Sequence, residues 1–145
     1  LSCSQWLLLG IDTLIKLYGN QSADFVAYFT NTVEELNTIA MSFLKKSDTE
    51  TTYEILSWCE AMVEPGAYGE FSILRNTTYN NIGCLYRRIG QLQNALKYLK
   101  AALAALENSK SDRNSAKTYL NLCAVLSQMG KYAFSYNFGL THSIS

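Results

Sequence analysis

The chain has 145 residues, of which 48% are hydrophobic and 17% are charged, and its 12 Lys and Arg balance 12 Asp and Glu. A chain of this length and composition buries a core without disulfides or a metal, which argues against intrinsic disorder. Because the formal net charge is zero, the chain lacks the positive charge that attracts nucleic acid or an anionic membrane, and neither is an expected partner.

Apolar residues recur every three or four positions along the chain, as in packed helices, and no segment alternates as a strand does. The N-terminal stretch is the most apolar, but Asp12 and Lys16 interrupt it, so we expect neither a membrane span nor a signal peptide. Pro65, in EPGAYG, marks a break between helices. The pattern predicts seven helices and the start of an eighth, at residues 4–18, 22–30, 32–46, 50–63, 71–89, 92–107, 113–129 and from 131 onward.

The chain contains an internal repeat with a period of 40 residues. Shifting NTTYNNIGCLYRRIGQLQNAL by that distance lays it over AKTYLNLCAVLSQMGKYAFSY. A shift of about 43 residues toward the N-terminus finds a fainter copy that begins near Val33. Because one helix hairpin cannot bury its apolar stripe alone, the copies predict a stack of hairpins. The most informative identical pairs are Tyr79 and Tyr119, Asn81 and Asn121, and Gly90 and Gly130.

The copy at residues 76–109 resembles a tetratricopeptide repeat (TPR). The next copy departs from the family pattern at Cys123, where Gly or Ala is usual, and at Gly139, where a large apolar residue is usual. The resemblance covers about residues 33–145. The repeats, at about 40 residues each, are similar to the long repeats of kinesin light chain and of cell-polarity scaffolds. The signature positions that match are Tyr79, Ile82, Gly83, Tyr86, Gly90, Ala95, Leu99, Ala102 and Glu107.

This resemblance implies an all-α fold in which antiparallel helix hairpins stack as a right-handed superhelical solenoid. We expect an apolar helical lead-in or cap over residues 1–31 and the solenoid over residues 32–145. The expected units are residues 33–66, 76–109 and 116–145. Gly83 is predicted to face the hairpin crossing, where the missing Cβ lets the second helix approach at Ala95 and Ala102. Gly90 is predicted to end the first helix in a left-handed conformation.

The sequence offers no cluster of residues that could carry chemistry. His142 is the single histidine, the four cysteines are at least 25 residues apart, and there is no glycine-rich phosphate loop. We therefore expect no catalytic residue, no cofactor and no metal, and the chain is predicted not to be an enzyme. Isolated cysteines in apolar helical pattern are expected to be free, buried hydrophobes, which suits a reducing, cytoplasmic location. The cysteines are Cys3, Cys59, Cys84 and Cys123.

The first helix of each hairpin is expected to line a concave groove, since residues four apart share one face of a helix. In TPR proteins this groove holds extended or helical peptides. The resemblance implies that Asn81 and Asn121 grip the ligand backbone, because a side-chain amide both donates and accepts hydrogen bonds. The alternative is that these two amides only bridge neighbouring helices. Arg88 and Lys117 are expected to attract acidic side chains. The predicted partner-binding residues are Thr77, Asn81, Arg88, Lys117, Asn121 and Gln128.

These observations predict a scaffold or adaptor that binds a protein or peptide and belongs to a larger complex. One alternative is an architectural segment of a cytoskeletal or ciliary assembly, with the groove filled by the same chain. Another is the regulatory repeat region of a longer enzyme.

Overall fold

The computed structural model describes residues 1–19, 22–109 and 111–144, with side chains as far as residue 134. These residues form six helices and no strand, which confirms the all-α prediction. Helices that are consecutive in the chain pack on each other, and α4 also contacts both α2 and α6. The fold is therefore the predicted stack of antiparallel hairpins. The helices are α1 (Cys3–Tyr18), α2 (Ala23–Lys45), α3 (Thr49–Val63), α4 (Ser72–Arg88), α5 (Leu92–Ala104) and α6 (Asp112–Ile144).

The first helices of successive units, α2, α4 and α6, stack beside one another. Helix α3 pairs with α2 and helix α5 pairs with α4. Helix α1 precedes the first pair and contributes one fully buried residue, Ile11, while Trp6 and Leu17 are 62% and 69% exposed. The expected boundary at residue 31 falls inside α2, and the division into a lead-in and three units stays a prediction. No helix in the described part of the chain is long and apolar enough to cross a bilayer.

The predicted break near residue 31 is wrong, because α2 runs without interruption from Ala23 to Lys45. Phe25, Phe29 and Val33 are spaced four apart and all are buried. They form one continuous stripe across the expected break, and the burial of that stripe outweighs the low helix propensity of the segment TNT at residues 30–32. The ring of Phe29 also stacks on Phe71, with 4.5 Å between centroids, which ties α2 to the start of α4.

The predicted break at Gly130 is also wrong, because α6 continues through it to Ile144. The third unit therefore has one straight helix where a hairpin was expected. A Cβ at Gly130 would meet no atom within 4 Å, so no tertiary contact holds a turn at this position and helical hydrogen bonding simply continues. His142, the single histidine of the sequence, lies outside the described side chains.

Helices α2 and α4 end in the same kind of turn. Gly90 has φ +83°, and its N–H and that of Gln91 donate to carbonyls in the last turns of α4. This confirms the predicted left-handed cap. Ser47, 43 residues earlier, has φ +64° and follows α2 with the same pattern of hydrogen bonds. The fainter first copy therefore turns at the position that the repeat assigns to it.

Helices α4 and α5 cross closely at Gly83. A Cβ added at Gly83 would lie 2.7 Å from Cγ of Leu99 and 3.5 Å from the carbonyl oxygen of Ala95. The predicted role of Gly83 is confirmed, with Leu99 and Ala95 rather than Ala102 as the residues it meets. Leu99 and Ala95 are fully buried, so neither can move aside without opening the core.

Replacing Gly83 with Leu should lower the free energy of unfolding by about 1–3 kcal/mol or more, because the new side chain overpacks the crossing. Urea denaturation followed by circular dichroism measures the change. The control is the same substitution at Gly10, which is helical and has no atom within 4 Å of an added Cβ. Equal midpoints for the two variants would show that the helices do not cross at Gly83.

Candidate functional site

A groove of about 570 Å³ lies across the stacked first helices. Six residues of α2, two of α4 and one of α6 line it, and α4 contacts both of the other helices. The groove contains two cations, Lys45 and Lys117, and one anion, Glu34. The residues that line it are Glu34, Asn37, Thr38, Met41, Ser42, Lys45, Thr77, Asn81 and Lys117.

The structure brings three of the six predicted site residues together, since Thr77, Asn81 and Lys117 all line this groove. Asn121 instead donates from Nδ2 to Oδ1 of Asn80 at 3.3 Å. The two remaining residues, Arg88 and Gln128, do not line the groove.

Arg88 holds the turn of the preceding hairpin. It is exposed at the end of α4, and its Nη2 donates to Oγ of Ser47 at 2.9 Å. Ser47 is the left-handed residue that follows α2, so this contact supports the turn between α2 and α3. Gln128 is half-buried farther along α6. The cation that accompanies Lys117 in the groove is Lys45, which the sequence analysis did not select.

Buried amides and hydroxyls join α2 to α4. Nδ2 of Asn37 donates to Oγ1 of Thr78 at 3.1 Å, and also to the carbonyl oxygen of Val33 at 2.9 Å. Oδ1 of Asn37 accepts from Nδ2 of Asn81 at 2.9 Å. Asn37, Thr78 and Asn81 are 3%, 0% and 5% exposed, so these bonds are made away from water. Asn81 therefore bridges two helices, as the alternative interpretation held.

The same contact recurs between α4 and α6. Nδ2 of Asn80 donates to Oγ1 of Thr118 at 2.7 Å, and Oδ1 of Asn80 accepts from Asn121. Thr118 and Asn121 lie 40 residues after Thr78 and Asn81, and Asn80 lies 43 residues after Asn37. Both spacings are those of the internal repeat. We call these two sets of contacts the amide ladder.

A third asparagine reinforces the second step of the amide ladder. Nδ2 of Asn76 donates to the carbonyl oxygen of Ala102 at 2.8 Å and to Oγ1 of Thr118 at 3.1 Å, and its Oδ1 accepts from Asn80. Asn76 therefore links α4 to α5 and α6 at once. This side chain is 1% exposed, so its two donated bonds and one accepted bond offset the cost of burying the amide.

Comparison with known families supports the repeat assignment. Residues 74–135 match the model of a family described as Tetratricopeptide repeat. These residues are a TPR segment. It comprises α4, α5 and α6 as far as residue 135, which includes the second step of the amide ladder. No significant match is found among curated proteins or among solved structures.

TPR segments generally mediate protein–protein interactions and are typically non-catalytic. The described residues contain no group of three or more His, Cys, Asp or Glu that could hold a metal ion. Burial raises the pKa of the Cys59 thiol to about 12, so this buried cysteine stays protonated and unreactive at neutral pH. Burial also raises the pKa of Cys84, and the nearby Arg87 and Lys117 partly offset that rise.

The prediction that all four cysteines are buried is wrong. All four are free, but only Cys59 is fully buried, while Cys3 and Cys123 are exposed. Cys123 takes the place of Gly83 in the repeat, where burial was expected. Within the described residues, α6 continues straight on past Gly130, so no second helix of the unit covers Cys123.

Iodoacetamide should therefore alkylate Cys3 and Cys123 in the folded protein much faster than Cys59, whose thiol is both buried and protonated. Mass spectrometry after a short pulse at pH 8 measures each site. Unfolding in guanidinium should make all four equally reactive, which provides the control. Equal labelling of Cys59 and Cys3 without denaturant would contradict the described packing.

Replacing Asn80 with Ala should destabilise the protein by about 1–3 kcal/mol, because Thr118, Asn121 and Asn76 would each lose a buried hydrogen-bond partner. The matched control is Asn94→Ala on α5, where the amide is exposed and bonds only Gln91. That change should alter the free energy of unfolding by less than about 0.5 kcal/mol. Chemical denaturation of both variants gives the comparison, and equal stabilities would exclude a structural role for the amide ladder.

Proposed function

We propose that this chain is a non-enzymatic scaffold or adaptor whose groove holds an extended or helical peptide from a partner protein. The observation that carries the proposal is the position of Asn81. Its Nδ2 is held by Asn37, it lines the groove, and its Oδ1 receives no hydrogen bond from any described residue. A fixed amide with a free acceptor suits a backbone N–H of a bound peptide, because the hydrogen bond to Asn37 already limits its rotation.

The charges of the groove favour an acidic ligand. Lys45 and Lys117 face it from α2 and α6, and Glu34 is the single acidic residue that lines it. Two cations on opposite sides of a groove attract a carboxylate and set the direction in which a peptide enters. Met41 adds an apolar, adaptable surface between them. The preferred ligand is thus a peptide in which an acidic residue lies next to an apolar one.

The volume of the groove fits this ligand. About 570 Å³ is within the ~300–1,000 Å³ range of small-molecule pockets, so a few residues of a peptide would fill it. No described residue occupies the groove, which gives no support to the architectural alternative in which the same chain fills it. A cytoskeletal or ciliary location therefore has no observation in its favour.

A photo-crosslinking amino acid at Thr77, in the full-length protein in its native cells, should capture the bound segment, since Thr77 lines the groove. The same amino acid at Lys97, exposed on α5, is the control position. A synthetic copy of the captured segment should bind the purified protein. Charge reversal at Lys117 (Lys117→Glu) should weaken that binding at least about tenfold, or about 1.4 kcal/mol, as measured by calorimetry.

The matched control is Lys97→Glu, which makes the same charge change outside the groove. If both reversals weaken binding equally, the effect is one of net charge and the groove is not the binding site. Equal capture from Thr77 and from Lys97 would lead to the same conclusion.

A further inference from the structure

The chain turns at equivalent positions in its first two units and passes straight through the third. Ser47 and Gly90 both have positive φ and follow α2 and α4. Gly130 lies 40 residues after Gly90 but is inside α6. The amide ladder shows independently that the first half of α6 is the counterpart of α4, since Thr118 and Asn121 repeat the contacts of Thr78 and Asn81. Residues 132–144 are therefore the counterpart of α5.

Helix α6 exposes the face that α5 covers on α4. On α4 this face is closed, with Ile82 at 4% exposure and Gly83 buried under Leu99. On α6 the counterpart of Ile82, Leu122, is half-buried against the core formed with α5, but the positions beside it are open, with Tyr119 58% exposed, Leu126 53% exposed and Cys123 also exposed. We call residues 119, 123 and 126 the open face of α6. A row of apolar side chains left in water favours association with another apolar surface.

The sequence of residues 131–144 suits the open face. At the crossing of the second hairpin a small residue, Gly83, meets a large one, Leu99. The repeat places Cys123 and Gly139 at these two positions, so the larger residue is now on the first helix and the glycine on the second. This pair leaves room for a close crossing, because the small side chain of Cys123 would face a residue that has none. Both departures from the family pattern are explained together.

The straight form of α6 determines which copy provides the second helix. Residues 131–144 extend about 20 Å beyond Gly130, at about 1.5 Å per residue, and cannot reach the open face of their own helix. We propose that the open face docks residues 131–144 of a second copy of this chain, and that the two copies exchange these segments reciprocally. Such an exchange is symmetric and closes at a dimer.

Disulfide trapping at the predicted crossing tests the proposal. The 145-residue chain with Cys3→Ser, Cys59→Ala and Cys84→Ala keeps Cys123 and receives Gly139→Cys. Oxidised glutathione, which accepts the two electrons and two protons released, should link position 123 of one copy to position 139 of the other. We expect a covalent dimer at twice 16.3 kDa on a non-reducing gel. Mixing ¹⁵N-labelled and unlabelled chains before oxidation distinguishes the two linkages, because only exchange between copies gives crosslinked peptides of mixed mass.

The matched control is Leu140→Cys in the same background. Position 140 is the counterpart of Lys100, which is exposed on α5, so it should not link to Cys123. A 123–139 linkage within one chain would overturn the proposal, because the segment would then fold back on its own helix. Absence of any 123–139 linkage would overturn it as well.

A second variant tests the hinge without a disulfide. Gly130→Ala favours the straight helix over a free chain that turns back at this residue. Since Gly costs about 1 kcal/mol more than Ala in a helix interior and the dimer contains two such positions, the substitution should tighten dimerisation by about thirtyfold. Sedimentation velocity over a range of concentrations measures the dimer fraction. A monomer at all concentrations up to 100 μM, or a lower dimer fraction for Gly130→Ala, would contradict the exchange.

Discussion

The solenoid depends on the amide ladder that joins its first helices. A buried amide or hydroxyl is unfavourable unless it is hydrogen-bonded, so α2, α4 and α6 cannot slide or separate without leaving polar groups unpaired. Apolar contacts alone allow many offsets between parallel helices. The hydrogen bonds of Asn37 and Asn80, in contrast, can form at only one offset. The ladder also determines the groove, because Thr77 and Lys117 immediately precede the two ladder threonines and are held facing α2.

Helix α4 packs against both α2 and α6, and these two contacts explain its unusual sequence. Its buried residues include three asparagines, a threonine and Arg75, a composition that would suggest an exposed helix if read alone. The asparagines meet α2 and α6, and the glycine side of the helix meets α5. Arg75 donates from Nε to the carbonyl of Val63 at 2.8 Å and so satisfies the end of α3. Nη2 of Arg75 is buried without a hydrogen bond to any described residue and has only Glu70, 4.0 Å away, as a charged neighbour. With that exception, a helix surrounded by four others retains stability by pairing its buried polar side chains rather than by excluding them.

The sequence was sufficient for features that a repeat makes visible. The TPR resemblance of the second copy predicted the hairpin of α4 and α5, the crossing at Gly83 and the turn at Gly90, because a glycine suits both a close helix crossing and a positive φ. The ladder threonines, Thr78 and Thr118, are identical when the two copies are aligned and could have been found there. An alignment shows that two positions are equivalent, but it does not show which side chain each one hydrogen-bonds. The prediction that Arg88 lies in the groove failed because the sequence does not show that its hydrogen-bond partner is Ser47, 41 residues away. The breaks predicted in α2 and α6 failed because local propensity does not include the burial of Phe25, Phe29 and Val33 or the open surroundings of Gly130.

The third unit differs from the others at the ladder itself. Leu120 stands 40 residues after Asn80 and 83 after Asn37, and it is 71% exposed. A helix stacked on this side of α6 would meet a leucine where α4 and α6 meet an amide, so the polar step that sets the register between the earlier helices has no counterpart there. The exposed Leu120 offers an apolar contact on this side of α6, and apolar contacts specify register through shape. The proposed pairing of Cys123 with Gly139 would be a fit of that kind. The same repeat thus carries two means of fixing its neighbours, amide pairing along the first helices and steric fit at the hairpin crossing. The third unit pairs its ladder amide with α4 only, and on its other side it offers no amide in the ladder position.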